Sequence, residues 1–144
     1  MNKLITLLTF LVFFNPLIAQ DFINTGFEKS YAFLEAFQKN DTNQIIKTYP
    51  LIKKEIKNND SLLTIIKKAN LIFKQFGGID SSDLIYKKSS FIVSSKETIV
   101  LHKFIYQFPI NANKKKKPQY HIIVAYSDVK TFSKVSQFQI KKLK

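Results

Sequence analysis

The chain has no cysteine in 144 residues, no arginine, and three glycines, Gly26, Gly77 and Gly78. Without cysteine there is no disulfide, no thiol chemistry and no acylated cysteine, so the core alone must hold the fold. Without arginine, the planar fork used for bidentate recognition of phosphates and bases is missing. That argues against a specific nucleic-acid reader. Three glycines leave little material for a phosphate loop built on backbone N–H groups. No G-x-S-x-G, P-loop or H-E-x-x-H pattern occurs. Acidic residues number 10 against 23 lysines, for a net charge of +13. Asp80 and Asp83 flank Ser81-Ser82, yet the several convergent oxygens that a hard cation needs are not spaced along the chain. A turn or strand-start role is expected for them, and no metal or cofactor is expected.

What is present begins at the N-terminus. Met1-Asn2-Lys3 is a short basic start, and Leu4 to Phe14 is a nearly unbroken apolar run. Asn15-Pro16 breaks it, and Leu17-Ile18-Ala19 ends on a small residue. This is the order of a signal peptide, with cleavage expected near Ala19. The run falls short of the roughly 20 apolar residues of a membrane span, so an integral membrane protein is not expected. Two segments follow: residues 1–19 as signal peptide, and residues 20–144 as one domain, exported to the periplasm or secreted. Much of the positive charge reads as a solvated lysine surface. The sharper alternative is attraction to anionic envelope surfaces, with Lys114, Lys115, Lys116 and Lys117 making the contact.

The first half has helical spacing. Thr25-x-x-Glu28 predicts a capping box that opens a helix carrying Phe27, Tyr31, Leu34 and Phe37, with Phe33 alongside and a stop near Lys39-Asn40. Asp41 predicts the cap of a second helix with Ile45, Ile46 and Tyr49, which Pro50 interrupts; Leu51, Ile52 and Ile56 suggest one more helical piece. Asp60 is expected to cap a third helix. Its stripe is Leu62, Ile65, Ile66, Ala69, Ile72, Phe73 and Phe76, and Gly77-Gly78 ends it.

After residue 78 the period becomes two. Strands are expected over 84–93, 98–110, 118–127 and 131–143. Pairing residue 110 with 118 gathers His102, Phe104, Tyr106 and Phe108 with Tyr120, Ile122, Val124 and Tyr126 on one face. His121 then falls on the other face beside Gln107, expected to be exposed. Helices first and an antiparallel meander after make an α+β plan: three helices packed on a curved sheet of about four strands.

At this point Phe37-Gln38-Lys39-Asn40-Asp41, followed by Ile45 and Tyr49-Pro50, resembles the turn between the first two helices of NTF2-like domains. The third helix ending in Phe76-Gly77-Gly78 before a long strand is similar to small secreted bacterial members of that superfamily. The resemblance spans residues 22–143. It implies a sheet that wraps the helices around a cone-shaped cavity. Members include ketosteroid isomerase and scytalone dehydratase as well as non-enzymatic binding modules, so fold alone does not give function. No catalytic residue of those enzymes has a match here that can be carried over. The chain also shows four strand segments where larger members show more.

Phe37, Phe73, Phe104, Tyr106, Tyr120 and Tyr126 are the residues expected to line an apolar ligand site, unless they fill the space between helices and sheet. The expected function is a non-enzymatic module that binds an apolar small molecule or an envelope protein. The alternative is an isomerase or dehydratase in which His102 transfers a proton and Tyr106 or Tyr126 donates a hydrogen bond. Ile99, Leu101 and Ile105 make the second face of the sheet apolar, which points to a homodimer or a bound partner.

Overall fold

The computed structural model of the chain describes residues 2–52, 59–94, 97–109 and 119–143, with side chains described from Gln20 onward apart from residues 59, 60 and 97. Helix α1 spans Asn2–Gln38, α2 spans Thr42–Thr48 and α3 spans Asn59–Phe76. Strands β1 (Asp83–Ser94), β2 (Glu97–Phe108), β3 (Tyr120–Tyr126) and β4 (Gln137–Lys142) follow. They form one antiparallel sheet in the order β1-β2-β3-β4. The class is α+β, with the helices N-terminal to the sheet.

The helix ends show how local sequence sets the architecture. At the end of α1, Asn40 takes a left-handed φ of 54°. The amide of Asp41 then reaches Ala36 O at 2.8 Å and that of Asn40 reaches Phe37 O at 3.1 Å. That pair of bonds is a Schellman closure. One residue on, the Asp41 carboxylate accepts from Gln44 N at 2.9 Å and caps α2 as expected. Gly77, with φ of 89°, closes α3 the same way, and Gly78 N reaches Phe73 O at 2.7 Å. Asp80 lies in a 3₁₀ turn, Ile79–Ser81, and accepts from the Tyr31 hydroxyl at 2.9 Å. Asp83 opens β1.

Three expectations need correction. Thr25 does not start a helix. It sits inside α1, and its hydroxyl donates to Asp21 O at 2.9 Å, the back-bond of a mid-helix threonine. Helix α3 begins at Asn59, so Asp60 lies within it rather than before it. Strand β4 begins at Gln137, not Thr131. The preceding residues fold into a local turn instead: Asp128 accepts from Lys130 N at 3.0 Å and from the Thr131 hydroxyl at 2.8 Å. The helical piece expected through Ile56 lies outside the described residues beyond Ile52.

The β2–β3 register is the expected one. His102 pairs with Tyr126, Phe104 with Val124 and Phe108 with Tyr120, although 110 and 118 themselves lie outside the described residues. The inward row meets the stripe of α3 and the buried face of α1. Phe33, Leu34, Phe37, Ile66, Ala69, Phe73, Phe104, Tyr106, Phe108, Ile122, Val124 and Tyr126 are all buried. Gly26 lets α1 come this close. A Cβ there would lie 1.9 Å from Phe104 Cζ.

Candidate functional site

Strand alternation delivers two surfaces, an inner aromatic face under the helices and an outer face of mixed apolar and lysine character. On the inner face most of the expected ligand-lining residues pack into the core. Phe37 stacks on Phe138 at 4.8 Å between centroids, Phe73 meets Phe108 at 5.9 Å, and Phe104 meets Phe27 at 5.0 Å and Tyr126 at 5.9 Å. Phe37, Phe104, Tyr106 and Tyr126 are 0% exposed. Tyr120 is half-buried at the other end of β3, 6.1 Å from the Phe76 ring. It lies six positions from Tyr126 along the strand, about 20 Å, so the six do not line one site.

The two inner tyrosines differ. The Tyr106 hydroxyl lies 2.6 Å from Ser30 Oγ, which itself donates to Phe27 O at 3.0 Å. The Tyr126 hydroxyl is buried with no hydrogen-bond partner among the described residues. Burial pushes both phenols well above the ordinary tyrosine value, so both stay protonated.

His102 sits at the margin of this face, 8% exposed. Its Nδ1 lies 2.6 Å from the Tyr86 hydroxyl. The Phe22 ring of α1 stands edge-on to the imidazole at 5.2 Å and packs on Phe132 at 4.9 Å. Desolvation, with Lys88 across the ladder adding to it, lowers the His102 pKa, so the ring is neutral near pH 7. Its hydrogen-bond partner is Tyr86. Tyr86 was not singled out in the sequence because the β1–β2 register is needed to place it, with Tyr86 opposite Phe104 and Lys88 opposite His102. Ser30 and Phe132 escape the sequence for a similar reason: the partner of Ser30 lies 76 residues away, and Phe132 sits on a loop that the fold carries to Phe22, Phe104 and Tyr126.

His121 lies on the outer face, as expected. It is half-buried rather than exposed, because Gln107 Nε2 meets its Nε2 at 2.7 Å. Desolvation, then Lys141 and Lys87, lowers its pKa. Around it the outer face carries the half-buried Ile85, Leu101 and Ile123 and the buried Ile105, with Lys87 directly opposite Lys103 at its centre. Toward the β1–β2 tip, Phe91 is 48% exposed on this face, while Ile92, opposite Thr98 on the other face, is 81% exposed and Val93 sits in a bulge. The Lys103 ammonium lies 5.3 Å from the Phe91 ring centroid.

Lys114 to Lys117 lie outside the described residues. Among the described residues, no group of three His, Asp or Glu side chains could hold a metal ion. Among them, too, no helix is long and apolar enough to cross a membrane. A search of family models, of curated proteins and of solved structures finds no match to this chain.

Proposed function

We propose that this chain is an exported, non-enzymatic interaction module of NTF2-like plan that binds an acidic protein partner on the outer face of its sheet. The observation that carries the reading is the division of labour between the two faces. The inner aromatics are spent on the core, at 0–2% exposure for Phe37, Phe73, Phe104, Tyr106 and Tyr126. The outer face keeps an apolar patch beside Lys87 and Lys103, in which Phe91 and Ile99 are exposed, Ile85, Leu101 and Ile123 half-buried and Ile105 buried. Large exposed aliphatic and aromatic side chains on a sheet mark interaction surfaces. Lys87 beside Lys103 favours a partner with carboxylates over a second copy, which would bring like charges together. Three helices before a four-stranded antiparallel sheet are compatible with the NTF2-like plan. Cleavage near Ala19 would leave Phe22, with its contacts to Tyr86, His102 and Phe132, in the first turn of the exported chain.

Native mass spectrometry of the protein purified from its own source tests this. A co-purifying polypeptide that is lost on Leu101→Lys supports it. A retained apolar small molecule, unaffected by Leu101→Lys, overturns it in favour of an inner cavity. A second reading, proton transfer by His102, rests on its 2.6 Å contact with Tyr86. It requires that His102→Gln abolish a measurable turnover while the fold persists.

A further inference from the structure

We infer that the groove between α1, the end of α2 and the β3–β4 connection is a binding site for a phosphate-class oxyanion carried on a small apolar body. This site is independent of the outer face of the sheet. Lys29 comes from α1, Lys47 and Thr48 from α2, and Ser133 and Lys134 from the connection, with Phe132 in the wall. The groove encloses about 340 Å³, within the range of small-molecule pockets. Among the described residues no carboxylate lines it. Among the described residues none of its three lysines forms an ion pair.

The site is built, not a chance gathering of surface charge. Lys134 Nζ donates to Lys47 O at 2.9 Å, and Val135 N donates to Thr48 O at 2.8 Å. These bonds fasten the connection to the C-terminal end of α2. An ammonium carries three N–H groups, so Lys134 keeps two for a ligand. Upstream, Asp128 holds Lys130 N and the Thr131 hydroxyl in a turn, and Ser133 Oγ lies 2.9 Å from Thr131 Oγ1. Phe132 then adopts φ of 47°, rare for a bulky residue and the kind of strain that collects at functional sites. Its ring is held by Phe22, Phe104 and Tyr126. The reversal at Phe132 sends the ring into the core while Ser133 and Lys134 border the groove.

Three lysines and the Thr48 hydroxyl bordering one groove suit a doubly charged tetrahedral anion. A carboxylate would leave most of that positive charge uncompensated. Lysine binds phosphate as a point charge and does not need arginine's fork. Phe33 and Phe132 are buried behind the groove, and the exposed Ala32 with the aliphatic stems of the lysines gives the surface for an apolar body attached to the phosphate.

The test is an amide NMR titration of the protein at constant ionic strength with phenyl phosphate, and in parallel with benzoate. Saturable shifts confined to residues 29, 47–48 and 133–134, with benzoate weaker, are expected. Lys47→Gln and Lys29→Gln should each weaken phenyl phosphate binding by about tenfold, the scale of one charge-assisted hydrogen bond. Lys29 makes no bond that holds the fold among the described residues, so K29Q reports on binding even if a change at Lys134 loosens the connection. Sedimentation with phosphatidic acid vesicles separates the sources. Vesicle binding lost in K29Q assigns the phosphate to a lipid headgroup, and phenyl phosphate binding without vesicle binding assigns it to a soluble ester. Equal affinity for benzoate, shifts scattered over lysines across the surface, or unchanged affinity in both variants overturns the site.

Discussion

Single atoms decide the inner face. Gly26 is required by distance rather than by backbone conformation, since any Cβ there would collide with the Phe104 ring, itself held on all sides. Gly26→Ala should therefore cost about 1–3 kcal/mol, as overpacking does, and lower the thermal midpoint by several degrees. Gly26→Ala with Phe104→Leu should recover part of the loss; a thermal melt of each variant decides. The two tyrosines make a sharper pair. Tyr106→Phe removes a hydroxyl that Ser30 uses and should cost about 1 kcal/mol. Tyr126→Phe removes a buried hydroxyl with no partner among the described residues, so it should be neutral or stabilising. Equal losses in chemical denaturation would mean that the Tyr126 hydroxyl is satisfied in solution. None of this was legible in the sequence. Nothing around Gly26 in the sequence marks a close approach to Phe104, and which tyrosine has a partner depends on contacts 76 residues apart.

At the scale of elements, the signals that depend on a few neighbouring residues were legible. Asp41 caps α2 because its carboxylate lies within reach of Gln44 N. Removing it with Asp41→Ala should cost about 0.5–2 kcal/mol, read in the same denaturation experiment, and a smaller change than at Gly26 would fit the solvent-exposed end of a short helix. The apolar stripe of α3 and the β2–β3 register were readable because period and parity are properties of the chain itself. The start of β4 was not. Thr131, Phe132 and Val135 have strand composition, but the Asp128 turn and the bonds of residues 134 and 135 to α2 hold this stretch away from the sheet. Those partners lie about 87 residues back, beyond any local pattern. The same holds for the groove, since Lys29, Lys47 and Lys134 are three unremarkable lysines until the fold brings them to one place.

Over the whole molecule, +13 of net charge interacts with two histidines on opposite faces of one sheet. Each has its pKa lowered, His102 by desolvation and Lys88, His121 by desolvation and then Lys141 and Lys87. A lowered folded-state pKa means that the unfolded chain takes up protons first as pH falls. Stability is therefore fully present above the unfolded histidine value near 6.5 and is lost as pH drops toward and through the folded values. His102→Gln should flatten the fall in stability between pH 7 and pH 5 and leave the contribution of His121, visible in denaturation midpoints taken across that range. An unchanged slope would mean that His102 is solvated in the folded state. The two histidines should also differ in what acid does to the structure. Protonating His102 places a charge under Phe22 and beside Lys88, where α1 meets the sheet, so acid should loosen the N-terminal part of α1 first. Protonating His121 adds charge to an outer face already centred on Lys87 and Lys103, and should strengthen its attraction for an acidic partner. If that face is the working surface, mild acid should tighten partner binding in the parent but not in His121→Gln, even as the fold itself weakens.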